Sequence, residues 1–141
     1  MLFHLFPVTS GAGGVTVPAM TVTGTLVAES LRDDAVVADV TLRVGTVVRV
    51  AAGDPTAGQP LVWTLLELEA DDGDLDVLAA RLAAAVRPGP WYCDLRTDTE
   101  TVVVFADRVF RYARGDAAGR AAAEAHARSS GVPPGQIDWP D

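Results

Sequence analysis

The stretch 91–112, WYCDLRTDTETVVVFADRVFRY, constrains the fold more than any other part of the chain. Residues 91–96 alternate between apolar and polar side chains, and successive residues of a β-strand point to opposite faces of a sheet. Two runs of β-branched and aromatic residues follow, at 101–105 and 108–112, with only Ala106-Asp107 between them. The stretch therefore predicts three short antiparallel strands joined by tight turns, and the rest of the chain must cover its apolar side.

Five further segments carry a secondary-structure signal. Thr and Val dominate 21–27, and 36–50 alternates over its second half, so both are predicted to contain strands. A strong strand is predicted over 61–69. Apolar residues at helical spacing predict a helix over 75–86, and an alanine-rich stretch predicts a second helix over 117–130. With the three strands of 91–112, the second half of the chain is therefore predicted to have the order β-α-β-β-β-α.

These elements predict an α+β fold: a mainly antiparallel sheet with two helices packed on one face, and N-terminal strands that extend or curl the sheet. A first strand is expected over 1–9. The segment 51–60, with its two Gly and two Pro, is interpreted as a surface loop within one domain. We therefore expect a single α+β domain over residues 1–141.

Composition excludes several classes of partner. The net charge is −8, from 19 acidic and 11 basic residues, and every basic residue is arginine. Such a charge disfavours nucleic-acid binding, which depends on cationic contacts with phosphates. A single cysteine, Cys93, excludes an intramolecular disulfide and fits a reducing cytoplasm. The apolar stretch 2–6 is too short for a signal peptide or a membrane span, so no membrane association is expected.

A metal or cofactor site is not predicted. Two histidines and one cysteine are too few for a transition-metal motif, and the acidic residues of 69–76 lack the spacing of a calcium loop. Helix capping and solvation explain those acids instead.

One candidate site is an acid–base group around His126. Helical spacing places His126 on the side of the last helix that faces the sheet. If it reached Asp94 or Cys93 there, it could serve as a general base or activate the thiol. The alternatives are a histidine packed between helix and sheet, and a cysteine that fills the core on the same face as Trp91 and Leu95. Catalysis requires that these groups converge in a cavity.

A second candidate site is the local cluster of arginines Arg108, Arg111 and Arg114, with Arg96 and Tyr92 on the neighbouring strand. The cluster lies beside the N-terminus of the last helix, where backbone N–H groups favour an anion. It could bind a small anionic molecule or an acidic strip of a protein partner. The alternative is a set of surface arginines paired with the many aspartates.

The segment from Trp91 onward, with its W-Y-x-D start, its V-F-R-Y strand and its closing sequences G-V-P and Q-I-D-W, resembles small uncharacterised bacterial proteins of actinobacterial type. The resemblance covers about the C-terminal half of the chain and implies no activity.

Three functions remain open from the sequence. The first is a small cytoplasmic binding or accessory protein that acts through its sheet surface and self-associates into a homo-oligomer, since exposed strand edges are usually covered. The second is a small enzyme of specialised metabolism with an acid–base site between sheet and helices. The third is an anion-sensing or protein-recognition module that uses the arginine cluster.

Overall fold

The structure, a computed structural model, describes residues 21–141. The strand expected over 1–9 and the apolar stretch 2–6 lie outside the described residues. The described part contains six strands and two α-helices, in the order β1 Thr21–Val27, β2 Arg43–Ala51, β3 Val62–Asp71, α1 Leu75–Ala85, β4 Cys93–Arg96, β5 Glu100–Phe105, β6 Arg108–Ala113 and α2 Ala117–Ser129.

Strands β4, β5 and β6 form the antiparallel meander that the sequence predicts. Leu95 pairs with Val102, and Val103 pairs with Phe110. Asp107, in the turn between β5 and β6, adopts a φ of 57°, a left-handed conformation that Asp tolerates better than most residues. The α+β class and the antiparallel sheet are therefore confirmed.

The N-terminal strands do more than extend or curl the sheet. Its order is β2-β3-β1-β4-β5-β6, so β1 lies between β3 and β4 and pairs antiparallel with both. Of the two described strands that precede the 51–60 loop, only β2 lies at the end of the sheet, and that loop joins it to its neighbour β3. Helix α1 connects β3 to β4 and passes over β1, which lies between them in the sheet. Within residues 21–141, strands β2 and β6 lie at the two ends of this order, and self-association through them stays a prediction.

The two helices lie on opposite faces of the sheet, so their predicted placement on one face is wrong. Val102 and Val104 of β5 belong to the cluster packed against α1, whereas Val103 and Phe105 belong to the cluster packed against α2. Consecutive residues of a strand point to opposite faces, so β5 is covered on both sides. Its continuous apolar run is typical of such a strand.

The ends of α2 direct the chain back across the sheet. Asp116 is the N-cap of α2, because its side chain accepts hydrogen bonds from the N–H groups of Ala118 and Gly119, both 3.1 Å. Gly131 follows the helix with a φ of 93°, the left-handed conformation expected of a residue that ends a helix. The tail that follows, residues 132–141, then runs over the face that α2 covers in part.

Replacing Gly24 by Ala is expected to destabilise the sheet beside the candidate site. A Cβ at this position in β1 would overlap the backbone oxygen of Asp94 and lie 2.7 Å from Cδ2 of Leu95. Because a backbone atom cannot rotate away, the strands must shift, at a cost of about 1–3 kcal/mol. Urea unfolding measures the loss. Gly73→Ala, where an added Cβ meets nothing within 4 Å, is the control, and an equal loss in both variants would contradict the prediction.

Candidate functional site

A cavity of about 430 Å³ lies on the α2 face of the sheet, over β3, β1 and β4. Its floor consists of side chains that point away from α1: Thr25, Val27, Leu65, Glu67, Asp94 and Arg96. Its walls come from Trp63 and the start of the 51–60 loop, from residues 90–92, and from the C-terminal tail. The site therefore exists because α2 covers only part of its face and the tail encloses the rest.

Two buried carboxylates occupy the middle of the floor. Thr25 pairs with Glu67 on one side and with Asp94 on the other, so the three side chains form one row across the strands. Glu67 is 5% exposed and Asp94 is 8% exposed. The hydroxyl of Thr25 donates a hydrogen bond of 2.9 Å to Oε2 of Glu67.

Of the two carboxylates, that of Asp94 has the raised pKa. Among residues 21–141, the hydrogen-bond donor to its carboxylate is its own backbone N–H. Burial raises the pKa of Asp94 to about 6, against the attraction of Arg96 and with a further increase from the negative charge of Glu67. The cavity thus contains a carboxylate whose charge the surrounding side chains only partly compensate.

The end of the cavity nearest the 51–60 loop is aromatic. The rings of Trp63 and Trp91 lie 5.3 Å apart between centroids. Trp91 is buried, as expected, but it does not share the α1 face with Cys93, because β4 begins only at Cys93 and Gly89 turns the chain before it with a φ of 105°. The simple alternation inferred from the sequence therefore fails at its first residue.

A network of side-chain amides fixes the tail over the cavity. Gln59 and Gln136 are buried and exchange hydrogen bonds of 3.1 and 2.8 Å. Gln136 also donates to the backbone oxygens of Gly53 and Asp54, at 3.1 and 3.0 Å. Tyr92 donates from its hydroxyl to the backbone oxygen of Gln136, 2.5 Å away. These bonds join the tail to the 51–60 loop and to the segment before β4.

Sequence reasoning missed the contribution of Glu67, Trp63, Gln59 and Gln136. The alternation of acids and apolar residues at the end of β3 was the only local signal, because it places Glu67 on the face opposite Leu68. Isolated glutamines carry no pattern that predicts a buried pair. Their partners come from segments far apart in the chain.

The residues predicted for acid–base chemistry do not come together. Cys93 belongs to the core cluster on the α1 face, and burial raises the pKa of its thiol well above the usual value. The ring of His126 packs 4.6 Å from that of Phe105 and 5.3 Å from that of Phe110, on the α2 side. Desolvation and Arg108 lower the pKa of His126. Of this group, only Asp94 lines the cavity.

The arginine cluster is also divided. Arg108 stacks over the ring of Phe110, with 4.8 Å to its centroid. Arg111 points to the other face, where it pairs with Glu100 at 2.9 Å and with a carboxylate of α1. Arg114 donates to the backbone oxygen of Asp141, 2.9 Å away. Of the five residues predicted to bind a ligand, Tyr92 and Arg96 line the cavity, and the other three do not.

No group of three or more His, Cys, Asp and Glu side chains in 21–141 is arranged to hold a metal ion. None of the helices in that range is long and apolar enough to cross a membrane. Comparison with protein-family models, with curated proteins and with solved structures found no match for this chain.

Proposed function

We propose that this protein binds a small organic molecule in the cavity on the face of its sheet, and so acts as a small binding or accessory protein. A volume of about 430 Å³ is within the range of small-molecule sites, which are concave and mostly apolar with a few polar groups. The observation that supports the proposal best is the buried carboxylate of Asp94. A buried charge without full compensation is costly, and a bound ligand can supply the missing partner.

The proposal also accounts for the aromatic residues that surround the cavity. Trp63, Trp91 and Trp139 line it together with Tyr92, so a ligand can bury apolar area against rigid rings. The reducing cytoplasm remains the proposed location, because the single cysteine of the chain is a free, buried thiol.

A second candidate function is catalysis, and the pKa of Asp94 favours it. A carboxylic acid with a pKa of about 6 is suited to proton transfer near neutral pH. Its partner would be Glu67, which lies in the same row across the strands. His126 instead packs against the rings of Phe105 and Phe110. Mass spectrometry of a ligand recovered after incubation separates the two functions. A chemically altered ligand supports catalysis, and an unchanged one supports binding alone.

Blocking the cavity is expected to abolish ligand binding without unfolding the protein. Ala51 is exposed and lines the cavity, so Ala51→Phe places a ring at its entrance at little cost to folding. Thermal-shift measurements with a panel of small metabolites should find compounds that stabilise the native protein and not this variant. Ala84→Phe, at an exposed position of α1 on the other face, is the control. Equal stabilisation of all three proteins by every active compound would contradict the proposal.

A further inference from the structure

We infer that the cavity selects an organic cation, an ammonium group joined to a flat apolar group, with the ammonium held by Asp94, Glu67 and Thr25. The inference rests on the proposed binding function, because it names the class of ligand for the same cavity.

The charge of the lining favours a cation. Three carboxylates line the cavity, those of Glu67, Asp94 and Asp138, against the single guanidinium of Arg96. Two of the three, Glu67 and Asp94, are more than nine-tenths buried, so water screens them little. An anionic ligand would add to this negative charge, whereas an ammonium group would neutralise part of it.

The hydrogen-bonding groups in the middle of the floor are acceptors. Glu67 and the ionised form of Asp94 can only accept, and the hydroxyl of Thr25 uses its proton on Glu67, which leaves its lone pairs free to accept. Neighbouring strands lie about 4.8 Å apart, so the row of three brings both carboxylates to the same small region above β1. An ammonium group has three donors and no acceptor, which matches this arrangement.

The lining becomes apolar along the strands in the direction of the 51–60 loop. Leu65 lies two residues before Glu67 on the same face of β3, opposite Val27 of β1. Trp63 lies two residues further, in contact with Trp91. At about 3.4 Å for each residue, the aromatic end is roughly 14 Å along β3 from Glu67. A ligand with its ammonium at Glu67 and Asp94 can therefore place an extended apolar group over Leu65 and Val27 and toward the rings.

The inference predicts a clear order among three compounds of equal shape: 4-phenylbutylamine, 4-phenylbutanol and 4-phenylbutyrate. Isothermal titration calorimetry near neutral pH should find that the amine binds the native protein at least about tenfold more tightly than the alcohol. The carboxylate should bind more weakly still. Asp94→Asn and Glu67→Gln should each weaken amine binding about 10-fold to 100-fold and leave the affinity for the alcohol nearly unchanged. Asp98→Asn, exposed on the turn between β4 and β5, should bind like the native protein.

Each other outcome overturns the inference. Binding of 4-phenylbutyrate in preference to the amine would identify Arg96 as the dominant group and the ligand as an anion. Equal binding of amine and alcohol, or amine binding that neither variant weakens, would show that the carboxylates do not select charge. A lack of amine binding would reject this class of ligand. The Ala51→Phe variant distinguishes these failures from a failure of the proposed function. If the alcohol or the carboxylate binds the native protein but not this variant, the ligand occupies the cavity and only the selection of a cation is wrong.

Discussion

The Asp94→Asn variant is expected to gain stability relative to the native protein as the pH rises from about 4 to above 6, by about 3 kcal/mol in the free energy of unfolding. Burial raises the pKa of Asp94 from 3.8 to about 6. Between these two values the folded protein keeps a proton that the unfolded chain releases, so folding stability falls as the pH rises. Asparagine has nearly the same shape and does not titrate, so the variant lacks this loss.

Urea unfolding of both proteins at about pH 4 and about pH 8 checks the prediction, because the two conditions lie on either side of the titration. The relevant quantity is the change in the stability difference between the two pH values, in which effects of the amide itself largely cancel. Asp98→Asn serves as the control, since Asp98 is exposed. If Asp94→Asn changes the free energy of unfolding by the same amount at both pH values, the pKa of Asp94 is not raised in the folded protein.

The same titration connects stability to the proposed ligand. At neutral pH the carboxylate of Asp94 is mostly ionised, and its burial destabilises the folded protein. A cation bound beside it would offset this cost in the native protein and could not do so in the asparagine variant. The group that weakens the fold is therefore the group that would give the ligand its affinity, which is typical of binding sites.

Local patterns in the sequence predict the local structure well. The alternation in 91–96, of which 93–96 forms β4, the β-branched runs and the short turn at Ala106-Asp107 predict the meander of β4, β5 and β6, because these signals lie in adjacent residues. The helical spacing over 75–86 and the alanine-rich stretch 117–130 predict α1 and α2 in the same way. All of these signals act over a few residues of chain.

The arrangement of the sheet depends on pairings that no local pattern specifies. Nothing in 21–27 indicates that β1 inserts between β3 and β4, since its partners lie far along the chain. The placement of the helices was predictable in part. The run from Val102 to Phe105 is apolar without alternation, which is typical of a strand covered on both faces. A strand of that kind favours one helix on each side of the sheet.

The candidate site was predictable only on one strand. Alternation in β4 places Asp94 and Arg96 on the face away from the α1 core, and both line the cavity. The carboxylate of Glu67 lies near that of Asp94 only because β1 lies between β3 and β4 and its Thr25 pairs with both residues. The amide network of the tail depends on contacts between segments far apart in the chain, such as those of Gln59 and Gln136, which are separated by 77 residues.

Replacing Trp139 by Ala is expected to cost about 3–5 kcal/mol in the free energy of unfolding. Trp139 is 2% exposed, and its ring lies edge-on to that of Tyr92, with centroids 5.1 Å apart. Its Nε1 donates a hydrogen bond of 2.8 Å to the hydroxyl of Tyr112, and the guanidinium of Arg120 lies 5.1 Å from its ring centroid. The substitution removes all of these contacts and leaves the hydroxyl of Tyr112 without this donor.

Denaturant unfolding measures the loss, and Trp139→Phe is the matched control, since it keeps an aromatic ring and removes only the indole N–H and part of the area. The phenylalanine variant should lose about 1–2 kcal/mol, the cost of the hydrogen bond and a smaller buried surface. A loss in Trp139→Ala no larger than that in the control would mean that the tail is not fixed by this side chain.

The alanine variant also tests whether the tail encloses the ligand. Trp139 and Gln136 both line the cavity, so release of the tail removes part of its wall even where the sheet stays folded. Calorimetry at a temperature where the variant remains folded should therefore find weaker binding of 4-phenylbutylamine, while Trp139→Phe binds nearly as the native protein does. Because the proposed ligand binds the folded protein and not the unfolded chain, saturating amine should also recover part of the stability that the substitution removes. Unchanged affinity in the alanine variant would place the ligand on the open sheet, with Asp94 and Glu67 sufficient to hold it.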